Sequence, residues 1–86
     1  HSEELAAKFQ DMVAWVRDNE DGTLTYACNR SSDDPNSFLF FERYTDQAAL
    51  DAHMGSERFA QLVTELQGKL DGGVEMDTYE ELATKI

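Results

Sequence analysis

The segment Phe38–Tyr44 constrains the fold of this chain more strongly than any other part of its sequence. Alternation places Phe38 and Phe40 on one face of a predicted strand. Leu39 and Phe41 occupy the other face. Because both faces begin apolar, we expect a central strand that is covered on both sides. In a chain of 86 residues, folding buries only roughly 60–65% of the unfolded surface, so a partner subunit would add useful core.

Hydrophobic periodicity predicts three helices and two further strands around this segment. The resulting order along the chain is α-β-β-α-α-β. The predicted bounds are helices over 3–20, 46–54 and 56–70, the last ended by Gly72 and Gly73, and strands over 23–30 and 74–81.

This order becomes β-α-β-β-α-β when one strand is placed ahead of it, which is the ferredoxin-like split β-α-β unit. We therefore predict an α+β, ferredoxin-like subunit that forms a single domain over residues 1–86. We expect its first strand to be absent from this chain.

Charge and composition exclude several classes of partner. The chain has 18 Asp and Glu against 7 Lys and Arg, a net charge of −11, which would repel nucleic acids and anionic membranes. Its longest apolar run is five residues, too short to span a membrane, and its first residues show no signal-peptide pattern. A single cysteine cannot form an intrachain disulfide. We therefore expect a protein of the reducing cytoplasm.

The sequence lacks the motifs of the common cofactor and metal enzymes. It contains no GxGxxG, GxxxxGK[ST], HExxH or GxSxG segment and no EF-hand loop. The pattern therefore predicts neither a nucleotide cofactor nor a metal site. Glu75 and Asp77 share one face of the last predicted strand without nearby histidines, which is typical of a solvated surface.

His53 and Glu42 are polar residues whose positions leave two interpretations open. His53 lies on the short predicted helix. It is either a half-buried histidine hydrogen-bonded to a carboxylate or carbonyl, or a general acid or base. Glu42 ends the aromatic strand beside Arg43. It either pairs with an arginine or caps the next helix, or it lines a pocket.

Four further side chains fall on one face of the two strands that would pair as a hairpin. A stripe of this kind lines either a core or a ligand cavity, and both interpretations stay open. These residues are Tyr26, Cys28, Phe40 and Tyr44.

Several segments together resemble the antibiotic biosynthesis monooxygenase family. That family combines an apolar strand ending in Glu-x-Trp/Tyr, an acidic turn, a short Ala/Leu helix ending in His, and then a Ser and a Phe. The resemblance extends over nearly the whole chain. It is carried by Gly22–Tyr26, Asp34–Pro35, Phe38–Tyr44, Asp46–His53 and Ser56–Phe59.

The resemblance implies a homodimer in which two ferredoxin-like subunits join their sheets into a dimeric α/β barrel. The C-terminal strand of each subunit commonly reaches across to the partner. Family enzymes oxygenate phenols, quinols or anthrones with O₂ and use no flavin, haem or metal. The deprotonated substrate itself supplies the electrons.

The resemblance also implies roles for the candidate residues. His53 would accept the substrate proton or orient the substrate oxygen, and Tyr44 and Tyr26 would hydrogen-bond to that oxygen. Glu42 would orient His53 or an arginine. The side chains that would pack on the substrate ring are Phe38 and Phe40.

Two other functions remain open for a chain of this kind. One is a non-catalytic dimeric barrel that binds a hydrophobic metabolite, since a fold does not determine an activity. The other is a haem-binding or haem-degrading relative in which His53 is the axial ligand. Haem binding would appear as a Soret band that the substitution His53→Ala removes.

Overall fold

The computed structural model describes residues 1–70 and 74–85. Its order of two strands between the first and second of three helices agrees with the predicted order. No helix within the described ranges is long and apolar enough to cross a lipid bilayer. The bounds are α1 (Ser2–Asn19), β1 (Thr23–Arg30), β2 (Phe38–Tyr44), α2 (Gln47–Met54) and α3 (Glu57–Leu66).

Side-chain caps define where the two short helices begin. The Asp46 carboxylate accepts a hydrogen bond from the Ala49 N–H at 2.8 Å at the start of α2. The Ser56 hydroxyl accepts one from the Phe59 N–H at 3.1 Å at the start of α3. Each cap satisfies a backbone donor that has no partner within its own helix.

Strands β1 and β2 pair antiparallel as a hairpin. Tyr26 lies opposite Glu42 and Cys28 lies opposite Phe40 in the register. Because side chains alternate along a strand, this register collects one apolar face from the two strands. That inner face carries Tyr26, Cys28, Phe38 and Phe40, which all pack on the buried core.

The first helix covers this inner face of the hairpin. Its Phe9 ring meets the Phe38 and Phe40 rings edge-on, with centroids 5.1 Å and 4.9 Å apart. Edge-to-face contacts of this kind are favourable for aromatic rings. The helix positions that are spaced by three and four residues form one buried stripe. The fully buried apolar side chains are Leu5, Phe9, Met12 and Val16 of α1 with Leu62 of α3.

No helix covers the outer face of the hairpin within the described residues. Leu39 is 68% exposed and Phe41 is 55% exposed. The expectation of a strand covered on both sides is therefore met on one side only within a single chain. Helices α1 and α2 contact the hairpin, and α3 packs on those two helices. The described sheet has two strands, so Phe38–Tyr44 is not a central strand here.

The predicted last strand, Val74–Glu81, is not a strand in this structure. Residues 74–85 form no helix or strand. A strand requires a neighbour for its backbone hydrogen bonds, and within the described residues β1 and β2 pair only with each other. A bidentate salt bridge joins this segment to β2. The Arg43 atoms Nε and Nη2 lie 2.8 Å and 3.1 Å from the carboxylate oxygens of Glu81.

The third helix is shorter than predicted. It ends at Leu66, although apolar spacing continues to Leu70. The backbone becomes extended at Gln67, and Gly68 follows with a φ of 79°, a conformation that glycine accepts readily. The predicted helix end at Gly72 and Gly73 lies outside the described residues.

Candidate functional site

His53 lies in the last turn of α2 and is deeply buried, with 2% of its surface exposed. Its Nδ1 atom lies 2.8 Å and 2.9 Å from the two carboxylate oxygens of Glu20. The first interpretation of His53, a buried histidine hydrogen-bonded to a carboxylate, requires this contact. The same arrangement is also typical of a histidine that accepts protons, because a carboxylate on one ring nitrogen orients the other.

Glu20 is a site residue that sequence analysis missed. It follows the last residue of α1, and its carboxylate also accepts a hydrogen bond from the Thr23 hydroxyl at 2.7 Å. Glu42 accepts a hydrogen bond from the Tyr44 hydroxyl, whereas the carboxylate on His53 Nδ1 is that of Glu20, so the orienting role of Glu42 stays a prediction. No spacing motif connects Glu20 to His53. The one signal in the sequence that could have indicated Glu20 is its position at the end of an amphipathic helix.

A close backbone approach brings Glu20 and His53 together. A Cβ atom on Gly22 would lie 2.7 Å from the Cβ of Ala49, so the turn after α1 packs directly on α2. The Thr45 N–H also donates a hydrogen bond to the Gly22 carbonyl at 2.9 Å. These contacts join the turn that carries Glu20 to the start of the helix that carries His53.

Three aromatic rings surround the His53 imidazole. The ring centroids of Tyr26, Phe59 and Tyr44 lie 5.0 Å, 5.2 Å and 5.8 Å from its centroid. The predicted residues Tyr26, Tyr44 and His53 are therefore brought together by the fold. The imidazole lies among aromatic rings and close to two phenol side chains.

Both tyrosines of the site hold their protons strongly. Burial, the hydrogen bond to Glu42 and the negative charge of Glu42 raise the pKa of Tyr44 far above its ordinary value. Burial and the charges of Glu42 and Glu20 raise the pKa of Tyr26 in the same way. At neutral pH both phenols are therefore hydrogen-bond donors, and neither of them can serve as a base.

The other predicted lining residues lie in the core between α1 and the hairpin. Phe38 and Phe40 contact Phe9, and the Phe40 ring also lies 5.4 Å from the Tyr26 ring. Cys28 is half-buried, and this burial raises the pKa of its thiol although Arg30 acts in the opposite direction. Contact of these side chains with a substrate stays a prediction.

A pocket of about 330 Å³ lies beside His53, between the end of α1 and α2. This volume is within the range that small-molecule sites occupy. Within residues 1–70 and 74–85, no three His, Cys, Asp or Glu side chains are grouped so as to hold a metal ion. The residues that line the pocket include Trp15, Glu20, Asp21, Ala49, Ala52 and His53.

Comparison with known proteins identifies the family of this chain. The family model of the antibiotic biosynthesis monooxygenases matches residues 1–65. The chain belongs to this family. The match includes Glu20, Tyr26, Glu42, Tyr44 and His53, and therefore the whole cluster around the buried imidazole.

Two solved structures of antibiotic biosynthesis monooxygenases resemble the chain. One, described as an antibiotic biosynthesis monooxygenase, is 30% identical with a TM-score of 0.72, and the match covers 92% of this chain and 85% of that one. A Deinococcus radiodurans protein assigned to the same family is 19% identical with a TM-score of 0.75, covering 93% and 87%. Both matches confirm the predicted ferredoxin-like fold. A search of curated proteins finds no match.

Alkaline unfolding tests the raised tyrosine pKa values. In the unfolded chain these phenols ionise near the ordinary pKa of about 10, whereas in the folded protein they keep their protons to higher pH. The folded state therefore binds more protons above about pH 10, so the free energy of unfolding should be greatest below that pH and fall above it. Urea unfolding between about pH 8 and about pH 11 measures this fall.

The double substitution Tyr26→Phe with Tyr44→Phe should reduce the loss of unfolding free energy with rising pH. Tyr79→Phe is the matched control, since Tyr79 is 84% exposed, and it should leave the pH dependence unchanged. An undiminished fall in the double variant would show that other groups cause it.

Proposed function

We propose that this protein is a cofactor-independent monooxygenase that oxidises a small aromatic, quinol or related metabolite with O₂. The observation that carries the proposal is the buried His53–Glu20 pair beside a small-molecule pocket, in a chain of the antibiotic biosynthesis monooxygenase family. We further propose that it works in the reducing cytoplasm, since its one cysteine, Cys28, is free.

His53 is proposed to accept the proton of the substrate. Glu20 contacts Nδ1 at 2.8 Å and so favours the tautomer with the proton on Nδ1. Nε2 is then the ring nitrogen with a lone pair for the substrate. Tyr26 donates a hydrogen bond to the substrate oxygen as negative charge builds up on it, because its raised pKa keeps it protonated. The Tyr44 hydroxyl gives its one hydrogen to Glu42, so its oxygen can only accept a hydrogen bond from the substrate. Glu42 fixes the Tyr44 hydroxyl through their hydrogen bond.

The proposed reaction balances with O₂ as the oxidant. Loss of a proton to His53 leaves an enolate or phenolate, whose electron pair reduces O₂ and forms a carbon–oxygen bond. The resulting peroxide anion takes the proton back from His53, and the hydroperoxide then loses water, so that one oxygen atom stays in the product as a carbonyl and the other leaves as water. An apolar setting favours this step, because it excludes water that would reprotonate the substrate carbanion.

We also propose that the protein works as a homodimer joined through the outer face of the hairpin. Leu39 and Phe41 are exposed there, and a soluble monomer rarely leaves such side chains together on one face. The segment 74–85 leaves further large apolar side chains exposed and is joined to β2 through the contact of Arg43 with Glu81. Pairing of this segment with a partner sheet would give it the backbone partners that it lacks.

Sedimentation velocity at concentrations on the order of micromolar tests the dimer. The unaltered protein should sediment as a dimer, and Phe41→Asp should sediment as a monomer, because the substitution places a charge in the apolar contact. Val63→Asp is the matched control, since Val63 is 44% exposed on α3, and it should remain dimeric. A monomeric unaltered protein would contradict the proposed assembly.

Oxygen uptake with a panel of hydroquinones and anthrones tests the proposed reaction. The unaltered protein should consume O₂ with no cofactor added. His53→Ala should lower the rate by about 10²-fold or more, the usual contribution of a positioned base. His1→Ala is the matched control because His1 is the other histidine of the chain, and it should retain the full rate.

Each failure of this test points to a different alternative. Uptake that is unchanged in His53→Ala would remove His53 from the chemistry. Saturable binding of the same aromatics with no uptake would favour the non-catalytic binding barrel. A Soret band on addition of haem that His53→Ala abolishes would favour the haem-binding relative.

A further inference from the structure

We propose that the pocket beside His53 selects uncharged or cationic aromatic molecules and rejects aromatic carboxylates. This inference rests on the proposed function, because it names the substrate class for the same site. Its basis is the charge of the lining, where Glu20 and Asp21 supply two carboxylates. Among the described residues, the lining contains no lysine or arginine. A substrate carboxylate would therefore meet like charges, and the His53 imidazole in the same lining is already hydrogen-bonded to Glu20.

Neither Arg17 nor Arg58 is among the residues that line the pocket. Arg17, the basic residue of the last turn of α1, pairs with Asp18 at 3.3 Å. Arg58 lines a separate surface hollow beside α3 that shares only Trp15 with the pocket. The chain as a whole carries a net charge of −11, so its long-range field also repels anions.

The apolar part of the lining accounts for the aromatic preference. Trp15 contributes an indole ring, and Ala49 and Ala52 contribute small side chains that leave room for a flat molecule. An indole face attracts aromatic rings and organic cations. Trp15 is the only tryptophan of the chain and lines both the pocket and the hollow beside Arg58, so its fluorescence reports binding at either of them.

Three phenols of similar shape and different charge test the inference at neutral pH. Tyramine is cationic, 4-ethylphenol is neutral and 4-hydroxyphenylacetate is anionic. Titration calorimetry gives their dissociation constants, and Trp15 fluorescence shows that they bind beside this residue. We expect tyramine to bind about five-fold more tightly than 4-ethylphenol and 4-hydroxyphenylacetate about five-fold more weakly, the factor for one charge pair about 4 Å apart in water.

Paired variants locate the binding and its charge dependence. Ala52→Leu should fill the pocket and weaken all three ligands, whereas Ala60→Leu makes the same change in the hollow beside Arg58 and should not. Asp21→Asn should reduce the ratio between the dissociation constants of 4-hydroxyphenylacetate and tyramine. Asp33→Asn removes the same charge from an exposed loop and should leave this ratio of dissociation constants unchanged.

The outcomes separate this inference from the proposed reaction. Binding in the expected order without O₂ uptake from any phenol or quinol supports the charge selection and contradicts the reaction. O₂ uptake together with equal or tighter binding of 4-hydroxyphenylacetate overturns the charge selection alone. Absence of binding by all three phenols, or weakening by Ala60→Leu in place of Ala52→Leu, also overturns it.

Discussion

The packing of α1 on the inner face of the β1–β2 hairpin is the contact on which the rest of this structure depends. Phe9 lies against both Phe38 and Phe40, and the buried stripe of α1 continues through Met12 and Val16. Burial of one such side chain contributes roughly 1.5–3 kcal/mol. The stripe ends at Val16, whose carbonyl accepts a hydrogen bond from the N–H of Glu20, the residue that follows α1.

The site is built from this contact outwards. Glu20 comes from the end of α1, His53 from the end of α2, and the two phenols from the hairpin. A buried imidazole and carboxylate lose hydration on folding, and their short hydrogen bond offsets that loss. The hydroxyl of Thr23 and the close approach at Gly22 hold the carboxylate in place. The geometry of the pair therefore follows from the packing of three separate elements.

The sequence predicted what depends on local patterns. The strands over 23–30 and 38–44 followed from alternation, and the two short helices followed from helical apolar spacing. The pairing of Glu20 with His53 did not, because it joins positions 33 residues apart through tertiary packing. The prediction of a last strand was wrong for a related reason. Alternation indicates strand propensity, but a strand also requires a neighbouring strand, which the described part of this chain does not supply.

The protonation state of His53 tests the central claim of this account most directly. Nitrogen NMR of the imidazole, with ¹⁵N-labelled protein at mildly alkaline pH, distinguishes the two tautomers. The account predicts a proton on Nδ1, shared with Glu20, and a proton-free Nε2 whose resonance moves when 4-ethylphenol is added. A proton on Nε2 in the neutral ring, or an Nε2 resonance that does not respond to the phenol, would contradict the role of His53 as the proton acceptor.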